Sequence, residues 1–464
     1  MKKLFVLLGV FCALCFVACS NFQLAGGDMG VVSLAIGDKL ASEIRSAASL
    51  RSATGGSYTL TASIRGEYSD SQTVAVANGN YSGVTFTFKG VPIGKDIILD
   101  LTAKADGNYI WYGNSGTHTV ERGENSLNVA LGRVSGVLMW DSSSVKITPY
   151  GNYDTPSIKI DQTQPVWCFD NKGDLYVLDA VNDAIIPYSL KADGTYTSLA
   201  GTGWSTGDIP SFLSYDNASG VLYGMRETEI VYLNAKDSSW EVKDELNSDG
   251  AAYLGFAVND DIAYVVEQSN TGNSSLKVKS YNLKLDEEKV GNEINLPASF
   301  GSSPTGQMIY QEGYLYLLLS AFAVTSNESD KTQHSCGAIV KINPQTLAVD
   351  TSFGNGGFLG LVSKGIEVSD DGATYNQTLY TPTESNVETT FCGPAGFVAV
   401  MPKKLVIGDG GYILSDNGGA GLLAKRKSRI ITVDLETQAF DIMDLSNPNC
   451  YENTTSSSGF LTVD

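Results

Sequence analysis

The sequence predicts an all-β protein, an N-terminal β-sandwich followed by a C-terminal β-propeller of six or seven blades. Three observations carry this. Long stretches alternate apolar and polar residues with period two, the spacing of a strand with one buried face. From about Gly136 a strand–turn–strand unit with an apolar-aromatic start recurs every 40 to 50 residues or so. Helical periodicity is nearly absent, so motifs that ride on helices have nowhere to sit. At 464 residues the chain fits two all-β domains, which run larger than the average of about 150 residues.

The chain opens with the three parts of a secretory signal. Lys2 and Lys3 supply charge, and Leu4 to Val17 form an apolar run too short for a good transmembrane helix. Phe16-Val17-Ala18-Cys19 then resembles the lipobox of bacterial lipoproteins, with Phe16 where the common pattern has Leu. The resemblance implies that residues 1–18 are a signal peptide and that the Cys19 thiol is acylated, making Cys19 the first residue of the mature chain. An ordinary signal peptide or a buried N-terminal helix are the alternatives. Two or more acyl chains, at about 0.8 kcal/mol per buried methylene, hold a protein stably on a membrane. Ser20 is no Asp-type retention signal, so the resemblance further implies the outer membrane, with surface and periplasmic faces both open. Residues 19–30 read as a Gly-containing tether.

The sandwich is expected over residues 31–135. Val31 to Ile36 is the first strand, and a polar connection from Gly37 to Gly56 could carry a helical turn around Ser42 to Leu50. Tyr58 to Ile64 and Val84 to Phe88 alternate. Gly90 to Gly94 reads as a turn, since Pro92 cannot donate to a ladder. Ile97 to Ala105 is one long strand, followed by Tyr109 to Tyr112 and Thr117 to Val120. Arg122 to Asn125 is a turn, and Leu127, Val129 and Leu131 alternate after it. Short strands with regular turns in this number suggest a β-sandwich. The runs Val91 to Gly94, Ala103 to Gly107, Trp111 to Gly113 and Glu121 to Asn125 resemble Ig-like or transthyretin-like modules of bacterial surface proteins.

The propeller is expected over residues 136–464. Its repeat starts at Phe169 to Asp179, Ser214 to Gly224, Phe256 to Val266 and Ile309 to Leu318, with Val400 to Gly408 a further unit. Tyr176, Tyr223, Tyr264 and Tyr316 mark the period. One blade has two apolar faces and cannot bury them alone, whereas blades stacked about an axis bury both. Asp350 to Gly357 resembles the D-x-S-F-G-x-x-G signature of tandem bacterial propeller repeats. Residues 358–395 are irregular, a degraded blade or an insertion. Val137 to Trp140 is expected to share a blade with the C-terminal strands Ile430 to Leu435 and Phe440 to Met443, closing the ring without a free edge.

Charge and residue types narrow the function. The net charge of −20 argues against nucleic acid, whose phosphates need Lys and Arg, and against an electrostatic membrane face. The one dense basic run, Lys425 to Arg429, reads as a solvated hairpin loop, with an anion or lipid-headgroup contact as the alternative. Beyond Cys19 the cysteines are Cys168, Cys336, Cys392 and Cys450, too scattered for a zinc site. Cys168 reads as a buried thiol, while Cys392 and Cys450 could bridge. His118 and His334 are the only histidines, which excludes multi-histidine metal sites. Gly203-Trp204-Ser205-Thr206-Gly207 matches a nucleophile elbow in letters, but no helix follows, so it reads as a loop. The Asp/Gly runs lack EF-hand spacing and read as turns. No catalytic, cofactor or metal residue is assigned. Trp204, in a Gly-rich loop, is the expected ligand contact. The function expected is a lipid-anchored cell-envelope binding or scaffold protein, not an enzyme, whose propeller loops contact a protein or glycan. The alternatives are an envelope assembly factor docking on outer-membrane machinery, or a propeller enzyme.

Overall fold

The computed structural model describes residues 29–36, 58–76, 83–105, 107–140, 144–153, 156–160, 166–179, 184–191, 193–199, 204–205, 210–234, 239–246, 252–268, 275–297, 304–324, 333–361, 391, 394–409, 413–415, 422–425 and 429–444. Every regular element among them is a strand. No helix among the described residues is long and apolar enough to cross a membrane. Cys19, Cys392, Cys450, the segment 42–50, and the Asp/Gly runs at 247–250 and 369–372 lie outside the described residues.

The N-terminal unit consists of two sheets facing one apolar cluster. The smaller sheet orders Thr85–Pro92, Met29–Ala35 and Gly123–Ser126; the larger orders Asp70–Val76, Tyr58–Gly66, Asp96–Ala105, Asn108–Thr119 and Gly132–Arg133. Val32, Leu34, Phe86 and Phe88 from the first meet Leu60, Ile64, Leu99 and Leu101 from the second. The period-two residues of the sequence are the ones that point inward.

Three details correct the sequence reading. The segment read as a turn at Arg122 to Asn125 contains the strand Gly123–Ser126, parallel to Met29–Ala35. The cause is Asn125, whose buried carboxamide donates to the carbonyls of Val31, Glu121 and Gly123 and accepts from the Glu121 N–H. Leu127, Val129 and Leu131 pack on the core without joining a ladder. The strand Thr85–Pro92 runs through Gly90 because Pro92 sits at the ladder's last position, opposite Met29, where no donor is required.

Six small antiparallel sheets follow, numbered here in chain order. Sheet one is Val137–Trp140, Val145–Thr148 and Ile158–Ile160. Sheet two is Val166–Phe169, Leu175–Asp179, Ala184–Leu190 and Tyr196–Ser198, with Trp204–Ser205 also paired to its third strand. Sheet three is Phe212–Asp216, Val221–Arg226, Glu229–Asn234 and Ser239–Glu245. Sheet four is Ala252–Asn259, Ile262–Gln268, Ser275–Asn282 and Glu287–Asn295. Sheet five begins Thr305–Gln311, Tyr314–Val324 and Gln333–Ile342; sheet six is Pro394–Met401, Lys404–Asp409, Arg429–Asp434 and Phe440–Asp444. The strands Ile413–Ser415 and Leu422–Lys425, inserted within sheet six, return to extend sheet five.

The sheets are arranged in a propeller-like way. Alternate faces of one strand feed two different clusters. In Tyr314–Val324, Leu315, Leu317 and Leu319 pack with sheet four, while Tyr316 and Leu318 pack with sheet six. Further clusters join sheets two and three, and three and four. A last cluster joins sheets six, one and two, through Val398 and Val406, Leu138 and Ile147, and Leu175 and Val177. The circle of neighbours therefore closes by packing. The expected shared blade is not formed: Val137–Trp140 pairs with Val145–Thr148, and the C-terminal strands build sheet six with Lys404–Asp409.

The repeat itself sits where its period places it. Tyr176, Tyr223, Tyr264 and Tyr316 occupy the second strands of sheets two to five, opposite Cys168, Ser214, Ala257 and Ile309 in the first strands. Tyr176 stacks on Tyr215 of the next sheet at 5.1 Å between centroids, and Tyr264 on Tyr310 at 6.5 Å. The D-x-S-F-G run is a brace between sheets five and six. Asp350 accepts from the Ser352 N–H and hydroxyl, Phe353 is buried, and the Gly354 N–H donates to Gln438 of sheet six at 2.8 Å. Arg429 departs from the solvated-loop reading: it starts a strand, is wholly buried, and pairs with the equally buried Asp409.

Candidate functional site: the cavity among the first strands

The first strands of sheets two to six surround a cavity of about 320 Å³. Its wall is built by Trp167, Phe169, Leu213, Tyr215, Met308, Tyr310 and Phe397, with Arg133 of the N-terminal unit at the rim. The hairpin ends add carboxamides: Asn171, Asn217, Asn259 and Gln311 lie at or just beyond the last position of four successive first strands, and Gln307 sits deeper.

First strands are edge strands, and an edge presents unpaired N–H and C=O groups. Here neighbouring sheets satisfy them. The Val258 N–H donates to Ser214 Oγ at 2.8 Å, and the Phe397 N–H to Gln307 Oε1 at 2.7 Å. The Val400 N–H donates to Ser135 Oγ at 2.8 Å, and Trp167 Nε1 donates to the Phe397 carbonyl at 3.0 Å. Gln311 Nε2 donates to the carbonyls of Met401 and Lys404, both at 2.8 Å.

Two aspartates mark how the hairpin ends are held. Asp216 is wholly buried at the end of its first strand. Burial alone would raise its pKa. Hydrogen bonds from the Asp261 N–H, Ser219 Oγ, the Ala218 N–H and the Asp260 N–H outweigh that and hold it below the usual carboxylate value. Asp260 and Asp261 have φ of 53° and 57°, a left-handed turn that non-glycine residues rarely adopt, so these bonds fix a strained turn in place. Asp170 in sheet two bonds only its own turn, at the N–H groups of Lys172 and Asp174. Desolvation, with the Asp174 charge beside it, pushes its pKa up.

The charged groups of the wall are engaged. Arg133 donates to the Lys191 carbonyl at 2.9 Å and lies over the Trp111 ring, and desolvation lowers its pKa. Glu312 holds Lys403 at 2.7 Å. Cys168 is a half-buried thiol on the wall, and desolvation, with Asp170 near it, pushes its pKa up. Among the described residues no group of three or more His, Cys, Asp or Glu could hold a metal.

Trp204 falls in the short strand Trp204–Ser205, with Ser205 opposite Ala184 and Trp204 opposite Ile185 on the third strand of sheet two. Its side chain lies outside the described residues. The residues that build the cavity went unassigned in the sequence. The signal was there: each repeat unit carries a polar pair at the end of its first strand, Asp170-Asn171, Asp216-Asn217, Asn259-Asp260 and Gln311-Glu312.

Residues 299–457 match the family model of the TdpA C-terminal domain, a span that takes in sheets five and six. No curated protein matches the chain. Among solved structures, a puromycin-hydrolyzing peptidase of Mycobacterium tuberculosis is 10% identical, with a TM-score of 0.31, covering 78% of this chain and 52% of its own. A protein of unknown function from Bacteroides caccae is 11% identical, with a TM-score of 0.28, covering 66% of this chain and 97% of its own. A protein from Lactobacillus plantarum is 9% identical, with a TM-score of 0.28, covering 64% of this chain and 94% of its own.

Proposed function

We propose that this chain is a lipid-anchored binding protein of the bacterial cell envelope. In this reading the six sheets form a β-propeller, the N-terminal unit is an Ig-like β-sandwich spacer, and acylated Cys19 tethers both to the outer membrane. The cavity takes a protein or glycan ligand, with no catalytic residue, and Trp204, on the short strand added to sheet two, adds a contact. The observation that carries the proposal is the cavity wall. Its charged groups Arg133, Asp170 and Glu312 are held by partners within the chain, while aromatic faces and the carboxamides of Asn217 and Asn259 line the space between the first strands. Such a lining suits recognition better than proton transfer or nucleophilic attack, which need a titratable group poised at a reacting atom.

Two measurements test it. Cells carrying Cys19→Ser are fractionated; the variant should leave the membrane fraction, and unchanged membrane retention overturns the anchor. The same soluble variant, immobilised, is then challenged with detergent-solubilised envelope. Retained material should fall when Tyr215→Leu is added, and equal retention with and without Tyr215 overturns the cavity as the binding site.

A further inference from the structure

We infer that the cavity ligand is an uncharged saccharide unit, an assignment that rests on the binding-protein reading and narrows it. Three observations choose this class over a peptide or an anion. First, peptide recognition by added strands uses free backbone edges. The inward N–H groups of Val258, Phe397 and Val400 are already bound to Ser214, Gln307 and Ser135, so the first strands offer no such ladder there. Second, an anion needs an unengaged cation. Arg133 is committed to a carbonyl and to the Trp111 ring, and Lys403 to Glu312.

Third, with the Asp170 carboxylate bonded to its own turn, what remains open is neutral and two-faced. Trp167, Phe169, Tyr215 and Tyr310 are half-buried and present aromatic surface to the space. Asn259 lies at its edge, and its carboxamide has no hydrogen-bond partner among the described residues. Asn217 Oδ1 accepts from the Asn171 N–H at 2.7 Å, which leaves its NH₂ group to donate outward. A sugar ring has apolar C–H faces that lie on aromatic rings and hydroxyls that both donate and accept. Carboxamides, with a donor and an acceptor in one plane, match adjacent hydroxyls. A cavity of about 320 Å³ suits one or two sugar rings and not a folded partner.

The test uses the full mature chain made soluble by Cys19→Ser. Glucose, galactose, mannose, xylose, N-acetylglucosamine and N-acetylgalactosamine are each titrated to tens of millimolar and followed by saturation-transfer NMR. At least one sugar should receive saturation on its ring C–H protons. Asn259→Leu, which keeps volume and removes both amide functions, should weaken that binding about tenfold, with Tyr215→Leu as the second variant should the first fail to fold. If no sugar gives a signal, or the signal is unchanged in both variants, the assignment is overturned. Envelope capture that stays Tyr215-dependent while all sugars are silent would leave the binding reading standing and reject the saccharide. Sugar binding without any envelope capture would do the reverse.

Discussion

The N-terminal unit and the six-sheet region bury their apolar residues in opposite ways. In the first, two sheets face one cluster that gathers buried residues from Val32 to Val129. In the second, no sheet owns a core. Each contributes alternate faces to clusters shared with the sheets on either side, and polar side chains reach across to the neighbour's exposed edge. The first design can stand by itself if its two sheets stay together. The second makes each sheet's stability a property of its neighbours, as in repeat architectures generally.

The sharpest way to break this contrast is to remove part of one sheet. A chain ending at Lys425 loses Arg429–Asp434 and Phe440–Asp444, and with them Ile431 and Val433 of one cluster and Ile430 of another. The expected outcome is loss of the cooperative melting transition of all six sheets, measured by calorimetry, while the N-terminal transition persists. Retention of a single sharp transition for the remaining sheets would show that they are independent after all.

A point change of smaller effect acts on the pair Arg429 and Asp409, both without exposed side-chain surface. Asp409→Ala takes the carboxylate from a buried guanidinium and should cost about 3–5 kcal/mol in denaturant unfolding. Replacing both residues by Met and Leu should recover most of that loss. A loss confined to sheet six in hydrogen exchange, with sheets five and one unaffected, would contradict shared burial.

Asp216 tests the polar half of the contrast. Asp216→Asn keeps shape but weakens bonds to two backbone N–H groups in the next sheet, at a cost of about 2 kcal/mol. The pH dependence has a definite sign. The folded pKa lies below the unfolded value, so the stabilisation is complete above the unfolded value of about 4 and is lost as pH falls through the folded pKa. Asp170, whose pKa is raised, acts oppositely. Its ionised form disfavours the fold, so stability from this site is largest at pH below the unfolded value and declines as pH rises through the folded pKa. Acid titrations of stability for Asp216→Asn and Asp170→Asn should therefore diverge from the parent in opposite directions.

How much of this the sequence disclosed follows from which interactions have a period. Alternation is local, so the strands Tyr58–Gly66 and Asp96–Ala105 were legible, as was the recurrence that places Tyr176, Tyr223, Tyr264 and Tyr316. Pairing partners are not local. Nothing in Gly123 to Ser126 alternates; the segment is a strand because Asn125 binds Val31 about ninety residues earlier. Arg429 looked solvated because it follows Lys425, Arg426 and Lys427, and its partner Asp409 is twenty positions away, opposite it on the neighbouring strand. The cavity escaped for a related reason. Its carboxamides are ordinary turn residues one unit at a time, and become a collar only when the units are set side by side.

The smallest expected effect sits at the junction of the two regions. Arg65, in the larger N-terminal sheet, donates to Asp100 of its own sheet at 2.6 Å and to Asp434 of sheet six at 2.7 Å. Asp100 also accepts the Tyr112 hydroxyl at 2.6 Å, so the carboxylate is held from two sides. The Arg65 side chain keeps 30% of its surface exposed to water, which screens the pair. Arg65→Ala should therefore cost only about 1 kcal/mol, yet the loss has a characteristic location. The bond to Asp434 is a charged contact that the two regions share, so its removal should uncouple them without loosening either core. The expected readout is a wider separation between the N-terminal and six-sheet transitions in calorimetry, larger at low salt than at high salt, with hydrogen exchange at Leu60 and Leu101 unchanged. Both transitions moving down together by the same amount would mean that the regions fold as one body and that the contrast between their cores has no energetic counterpart.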